Sequence, residues 1–210
     1  MSVSDREAPP VEDPGKLAAA VLRECSRRNY GGVVLDFESG AAPDRLAFAR
    51  LLAGQLQAAR RLLLVPEAYA VSGATVLINT AISGGSLSVR LQETQRQYGQ
   101  IALDLQRLAM DFSLPERSGN GKPMQIDDLK KRMDDQAPSV FFSQDLCARY
   151  FTYSRNGETH FILFDDADTL AQKLRIGRSL GISHALIMYP EVSDLLPRLF
   201  SAVQGTGPAR

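Results

Sequence analysis

A chain of 210 residues can form one ordinary domain or two very small ones, with enough length to bury a core. Its 24 basic and 24 acidic residues balance, which excludes the strong field that draws a protein to nucleic acid or anionic lipid. With 44% hydrophobic and 23% charged residues it has the profile of a soluble globular protein, and no apolar run approaches the roughly 18 residues of a membrane span.

The opening MSVSDREAPPVEDPGK reads as a lead-in over residues 1–15. It has no basic and apolar leader pattern, so no signal peptide is visible and a cytoplasmic address is expected. Residues 16–29 place Leu17, Ala20, Val21, Leu22 and Cys25 at helical spacing. Gly31 and Gly32 end that helix, and Val33 to Leu35 begin a short strand closed by Asp36-Phe37-Glu38-Ser39-Gly40. A second helix is predicted over 41–60, with Pro43 near its start. Short apolar runs at 61–65 and 75–81 predict two more strands, the first followed by Glu67 and Tyr69. A helix is predicted over 87–99. Residues 101–112 read as one long strand, or as a strand with an irregular extension. The stretch 113–123, centred on SGNGKP, is loop-like, and 126–135 reads as a polar helix. Residues 150–164 predict a hairpin around an Asn156-Gly157 turn. A helix over 166–181 and a last strand over 185–189 complete the order, and residues 201–210 read as a flexible tail.

Short apolar strands alternating with helices indicate an α/β fold with a mostly parallel sheet. In such folds chemistry gathers beyond the carboxyl ends of the strands. The side chains expected there are Asp36, Glu38, Glu67, Tyr69, Ser83, Asp111 and Tyr189, a set with neither histidine nor cysteine. Asp36 and Glu38, two residues apart, share one side of an extended chain. Close carboxylates raise the pKa of one member, which can make a general acid. The same pair could equally cap the following helix. Glu67 could be a second carboxylate across a cleft or an exposed loop residue. Tyr69 and Tyr189 could meet a sugar ring or be core tyrosines. Asp165, Asp166 and Asp168 fit helix capping better than a calcium loop. Cys25 and Cys147 are expected on helices and form no disulfide framework. His160 and His184 have no ligand-pair spacing, so neither a metal nor a cofactor is expected.

The stretch GGVVLDFES resembles the DxxDxDxE signature strand of family 18 glycoside hydrolases, the chitinase-like barrels. It is most similar to their spore-cortex and peptidoglycan N-acetylglucosaminidase branch, whose strand commonly reads GV-x-x-DFE. Glu38 and Asp36 match the last two acids, whereas Gly31 and Val34 stand where the first two would be. The segment 148–190 independently resembles the family's carboxyl-terminal part, through Ile162, Phe164, Asp165, Asp166, Thr169, Lys173 and Gly181. Tyr189 stands in the place of a final tryptophan. LLLVPEAYA, VLINTAISGG and IALDLQRLAMDF are similar to the fifth, sixth and seventh barrel strands.

The resemblance implies an incomplete (β/α) TIM-barrel-like domain over 16–200, with about five or six parallel strands and a hairpin before the last. It implies a glycoside hydrolase acting on N-acetylglucosamine-containing glycans of peptidoglycan or chitin type. Glu38 would be the general acid/base, and Asp36 would steady the substrate's own acetamido nucleophile, the substrate-assisted retaining route. Glu67, Tyr69, Asp111 and Tyr189 would contact substrate. The family's sixth-strand tyrosine has no counterpart in TAISGG. The alternative is a non-catalytic carbohydrate-binding or scaffold barrel of the same descent. A third possibility is another barrel hydrolase using Glu38 and Glu67 as acid and nucleophile. An association with spores is implied beside the cytoplasmic address.

An eight-stranded barrel typically needs about 250 residues, with a floor near 200. The signature strand is normally the fourth of eight, yet only about 35 residues precede it, where three βα units would need roughly 90 at about 30 per unit. The expectation is therefore a barrel lacking its first two or three strands, with MSVSDR at most a remnant of the third. An open edge of this kind favours a homodimer or a partner chain that completes the barrel.

Overall fold

The computed structural model describes residues 1–114, 121–155 and 157–204. Asn156 of the expected turn, Ser118, Gly119 and Asn120 of the expected loop, and tail residues 205–210 lie outside the described residues. The chain forms two compact units. One comprises residues 1–78 with 93–103, the other residues 79–92 with 104 onward.

The first unit grows from short strands too apolar to face water. Strand β1 (Ser2–Ser4) leads to helix α1 (Pro14–Arg27), which the Asp13 carboxylate caps by accepting the amide of Lys16 at 2.9 Å. A side-chain acceptor at this position and Pro14 at the first helical residue both favour helix initiation. Strand β2 (Gly32–Asp36) then alternates, burying Val33 and Leu35 while Asp36 reaches solvent. Helix α2 (Pro43–Ala58) buries Phe48, Leu52 and Leu56, and strand β3 (Leu62–Pro66) buries Leu63, Leu64 and Val65. Strand β4 (Thr75–Asn79), helix α3 (Leu87–Tyr98) and strand β5 (Ile101–Asp104) follow. β1 pairs parallel to β2, β2 to β3, and β3 to β4. The residues expected to be at most a strand remnant thus form a paired strand beside Val34 to Asp36.

Gly32 is required by this pairing. A Cβ there would lie 2.9 Å from Leu62 Cβ and overlap the Leu62 carbonyl on the neighbouring strand.

The second unit contains an antiparallel sheet. Its strands are β6 (Ala109–Leu114), β7 (Lys122–Pro123), β8 (Phe141–Ser143), β9 (Ala148–Arg155) and β10 (Glu158–Phe164), with helix α4 (Ile126–Gln136) between β7 and β8. The spatial order is β7-β6-β10-β9-β8. The expected hairpin is therefore real, and it is the centre of a five-stranded sheet. One face packs Phe151, Tyr153, Ile162 and Phe164 against Leu129 and its neighbours on α4. Helix α5 (Ala167–Ser179) starts with a reciprocal capping box, in which Asp166 accepts the Thr169 amide at 2.8 Å and Thr169 Oγ1 accepts the Asp166 amide at 3.0 Å. Strand β11 (Ala185–Leu186), the short helix α6 (Tyr189–Val192) and helix α7 (Leu196–Gln204) complete the chain. Residues 201–204, assigned to a flexible tail from sequence, continue α7.

The parallel sheet has six strands in the order β1-β2-β3-β4-β5-β11. Leu105 donates to the Leu186 carbonyl at 2.9 Å where the last strand joins. The architecture is α/β, an incomplete TIM-barrel-like fold with a separate antiparallel sheet.

Three expectations are corrected. Residues 101–112 form two strands in two different sheets. The polar pair Gln106-Arg107 leaves the ladder to bond Asn79 and Asp194 side chains. The last strand stops at Leu186 because Pro190 favours the first turn of a helix, so Tyr189 begins α6. Cys147 lies in the turn before β9 with φ +51°, not on a helix.

Candidate functional site

In the first unit, the end of β2 presents the carboxylates singled out from sequence. Asp36 and Glu38 are exposed, and among the described residues neither side chain has a hydrogen-bond or ion-pair partner. Phe37 between them turns inward, edge-on to Tyr69 with ring centroids 5.0 Å apart and 6.2 Å from the ring of Phe48. This alternation turns the acids outward while the half-buried aromatic ring packs inward.

The loop that follows is pinned from below. Tyr69 is fully buried, and its hydroxyl donates to the Gly40 carbonyl at 3.0 Å and the Ser39 carbonyl at 3.3 Å. Tyr69 is therefore a core tyrosine with a satisfied hydroxyl, supporting the loop from inside. Asp5, just beyond β1, accepts the Glu38 amide at 2.9 Å on Oδ1 and the Ser39 hydroxyl on Oδ2. The Arg45 guanidinium lies 3.4 Å from the same Oδ2. Glu67 opens a one-turn 3-10 helix at the carboxyl end of β3 and is half-buried.

In the second unit, the carboxyl ends of β4 and β5 carry a chain of polar groups. Asn79 Oδ1 accepts the Ala81 amide at 2.7 Å, and Asn79 Nδ2 donates to Gln106 Oε1 at 2.9 Å. Gln106 Nε2 then donates to Asp104 Oδ2 at 2.8 Å. A cavity of about 670 Å³ opens here, lined by Asn79, Gln106, Arg107, Met124, Lys130 and Glu191 among others. Arg107 donates to Asp194 Oδ1 at 2.7 Å and to the Glu191 carbonyl at 3.1 Å. Partial burial would raise the Asp194 pKa, but Arg107 and then Lys130 outweigh it and hold the carboxyl below its usual range. Amides, carboxylates and guanidinium beside apolar walls suit a polyhydroxylated ligand.

Asp111 does not sit at the end of a parallel strand. It lies within β6, where Oδ1 meets His160 Nδ1 at 2.8 Å and Oδ2 lies 3.4 Å from both Arg132 and the Tyr153 hydroxyl. His160 stacks on Tyr153 at 4.7 Å. This network satisfies Asp111 internally. Tyr189 is 68% exposed at the start of α6. Ser83 lies in the turn preceding α3.

Asp165 and Lys173 form an ion pair at 2.7 Å with both side chains fully buried. Asp165 also accepts the Leu108 amide and the Thr169 hydroxyl. Burial pushes the Asp165 carboxyl up, and Lys173 opposes that shift. This site is structural, and both of its charged residues are among those that carry the resemblance over 148–190. Asp5, Asn79, Gln106 and Arg107 are additional site residues. The partners of Asp5 and Arg107 lie far along the chain, and Asn79 meets Gln106 across 27 residues, so no local pattern signals these contacts. Among the described residues, no group of three or more His, Cys, Asp or Glu is gathered to hold a metal, and no helix is long and apolar enough to cross a membrane.

Known structures give the frame for these residues. The chain superposes on a class V chitinase from Pseudomonas fluorescens Pf-5 with TM-score 0.64 and 13% identity, covering 97% of this chain and 79% of that one. A class V chitinase from Nicotiana tobaccum aligns with TM-score 0.63 and 12% identity, over 100% of this chain and 80% of the other. The spore cortex-lytic enzyme SleL of Bacillus cereus aligns with TM-score 0.61 and 17% identity, over 88% of this chain and 54% of that enzyme.

The fold is chitinase-like. No family model matches the sequence, and no curated protein matches it. The chitinase-like fold was legible in GGVVLDFES and in the 148–190 segment, and the Asp36–Glu38 strand occupies the second position of the parallel sheet.

Proposed function

We propose that this chitinase-like protein is a glycoside hydrolase that cleaves N-acetylglucosamine-containing glycans, of peptidoglycan or chitin type, by the substrate-assisted retaining route. Glu38 is the general acid/base. Asp36 orients the substrate's acetamido group, whose oxygen attacks the anomeric carbon as Glu38 protonates the leaving oxygen. The observation that carries this reading is the pair of exposed, unpartnered carboxylates at the carboxyl end of β2, on a backbone pinned from beneath. A carboxyl already engaged in an ion pair would have to lose it before transferring a proton. Glu38 has no such cost.

Glu67 at the end of β3, in the same unit as Glu38, is the substrate contact this reading keeps, and the exposed ring of Tyr189 is a sugar-binding surface of the second unit taken by itself. Tyr69 acts one layer below, and Asp111 is engaged by His160, Arg132 and Tyr153. The cavity around Asn79, Gln106 and Arg107 suits a sugar's hydroxyl groups. The likeness to SleL of Bacillus cereus, a spore cortex-lytic enzyme, favours a peptidoglycan substrate and a place in the spore. An open parallel sheet also favours a second copy or a partner chain at its edge.

The test compares wild type with Glu38→Gln on a chromogenic chitin oligosaccharide and on purified spore-cortex peptidoglycan. Wild type is expected to release product, and the variant to do so about 100- to 1000-fold more slowly, as for loss of one positioned catalytic group. Equal rates, or no turnover by either protein, refute the catalytic reading. Tight glycan binding without turnover would then assign a non-catalytic carbohydrate-binding barrel.

A further inference from the structure

We propose that Asp5 is the positioning residue of the candidate acid: its buried carboxylate clamps the main chain at Glu38, so that the Glu38 carboxyl is presented on a fixed stem. The inference rests on the reading of Glu38 as general acid, but the clamp can be measured without it.

Asp5 is only 7% exposed. A carboxylate removed from water is costly unless its oxygens are matched by donors. Here both are matched, and the donors come from the loop that bears Glu38. Oδ1 takes the Glu38 amide at 2.9 Å, and Oδ2 takes the Ser39 hydroxyl. The compensating charge is Arg45, on α2, whose Nε stands 3.4 Å from Oδ2. Arg45 also donates to the Ala8 carbonyl at 3.3 Å, and the Ala8 amide donates to the Asp5 carbonyl at 3.0 Å. The turn that follows Asp5 is thereby tied to the same helix as the charge that balances it.

A neutral acceptor such as Asn would close the loop with less desolvation. An ionised one gives a hydrogen bond roughly twice as strong. The strength is applied at one peptide unit, the one that carries the Glu38 side chain. Tyr69 in turn holds the carbonyls of Ser39 and Gly40. Residues 38–40 are thus restrained by two buried side chains, while the Glu38 carboxyl itself has no partner among the described residues. A restrained backbone under an unengaged acid is how a group is preorganised for a ligand. Asp5 touches neither substrate nor reacting atoms, so it acts only through Glu38.

The test uses Asp5→Ala, Asp5→Asn and Ser39→Ala in the full chain. Amide hydrogen exchange is followed residue by residue, together with kcat and KM on the chitin oligosaccharide. For Asp5→Ala, exchange at Glu38 is expected to accelerate about tenfold or more, as for loss of a charge-assisted hydrogen bond, while amides in α1 and α2 keep their protection. The kcat is expected to fall about 10- to 100-fold with KM within about twofold, as for a displaced catalytic group. Asp5→Asn retains an acceptor and should recover most of both losses, and Ser39→Ala should give a smaller effect of the same kind. If Asp5→Ala does not fold, the graded response of the other two decides. Unchanged exchange at Glu38, or a loss of protection spread evenly over the unit, overturns the clamp. So does unchanged kcat in a variant whose Glu38 exchange has risen. If wild type lacks turnover, the reading of Glu38 fails by itself, and the exchange pattern alone decides whether Asp5 clamps the loop.

Discussion

Removing Lys173 should destabilise the second unit by an amount that depends on pH in a defined way. Lys173 and Asp165 are both fully buried and meet at 2.7 Å. Breaking a buried pair by deleting one partner costs about 3–5 kcal/mol, because the other charge is left uncompensated. In Lys173→Met, Asp165 keeps the Leu108 amide and the Thr169 hydroxyl but loses the main force opposing the upward push of burial. It escapes the full penalty by taking up a proton. Protonating a carboxyl of ordinary pKa near 3.9 costs about 1.36 kcal/mol for each pH unit above that value, hence about 4 kcal/mol at pH 7 and about 1.5 kcal/mol at pH 5. These are ceilings on the electrostatic loss. The sign follows from linkage. The folded variant holds a proton that the unfolded chain releases above about pH 4, so its stability falls as pH rises through that window. Urea unfolding followed by circular dichroism at pH 5 and pH 7 measures the difference. Lys173→Met should lose about 3–4 kcal/mol against wild type at pH 7 and less than half of that at pH 5. Adding Asp165→Asn should restore most of the loss, since no ionisable group then remains. A loss below about 1 kcal/mol at pH 7, or a loss that does not change with pH, would refute this account of the pair.

Two further outcomes test the packing. Gly32→Ala should cost about 1–3 kcal/mol in urea unfolding through overpacking against Leu62, whereas Gly31→Ala, with nothing within 4 Å, should stay within about 0.5 kcal/mol; equal effects would contradict the close approach of β2 and β3. Burial pushes the Cys147 thiol up to about 11, so a disulfide reagent at pH 8 should find it unreactive until guanidinium unfolds the chain. Because the folded thiol keeps a proton that the unfolded one loses, this group's contribution should reduce stability as pH rises from about 9 towards about 11; rapid native labelling of Cys147 would refute both statements.

The fold was legible where local chemistry decides it. Strands β3 and β4 are short apolar runs, as strands buried on both faces must be. Helix α1 announces itself through its apolar spacing, although its start at Pro14 falls inside the expected lead-in, and α5 announces itself through Asp166 and its apolar spacing. The hairpin was legible from its apolar arms, but its membership of a five-stranded sheet was not, since β6 and β8 are recruited by pairing with residues 159–164 and 148–150. The break after Asp104 was hidden for a related reason. LDLQRLAMDF reads as one apolar run until Arg107 finds Asp194, 87 residues away. Tyr189 shows the opposite failure, because Pro190 was in plain view and should have ended the strand earlier.

The candidate site divides in the same manner, and the division bears on what the protein does. Asp36 and Glu38 could be named from sequence because the motif is contiguous. Whether they are catalytic groups or a solvated strand end depends on what lies beneath them, and the spacing D-x-E is silent on that point. The groups beneath come from three places. Asp5 lies 33 residues before Glu38, Tyr69 lies some 30 residues beyond the loop it supports, and Arg45 balances Asp5 from the next helix. A strand end that merely meets solvent needs no buried charge under it, and a helix-capping role would direct the Asp36 or Glu38 carboxyl onto the amides of α2. Neither side chain makes such a bond, and the first helical residues of α2 have no side-chain cap. The desolvation cost of Asp5 is therefore carried by the fold to restrain the peptide of Glu38 while its carboxyl stays unengaged. That arrangement favours a functional acid over a capping pair, and it does so independently of any likeness to other proteins.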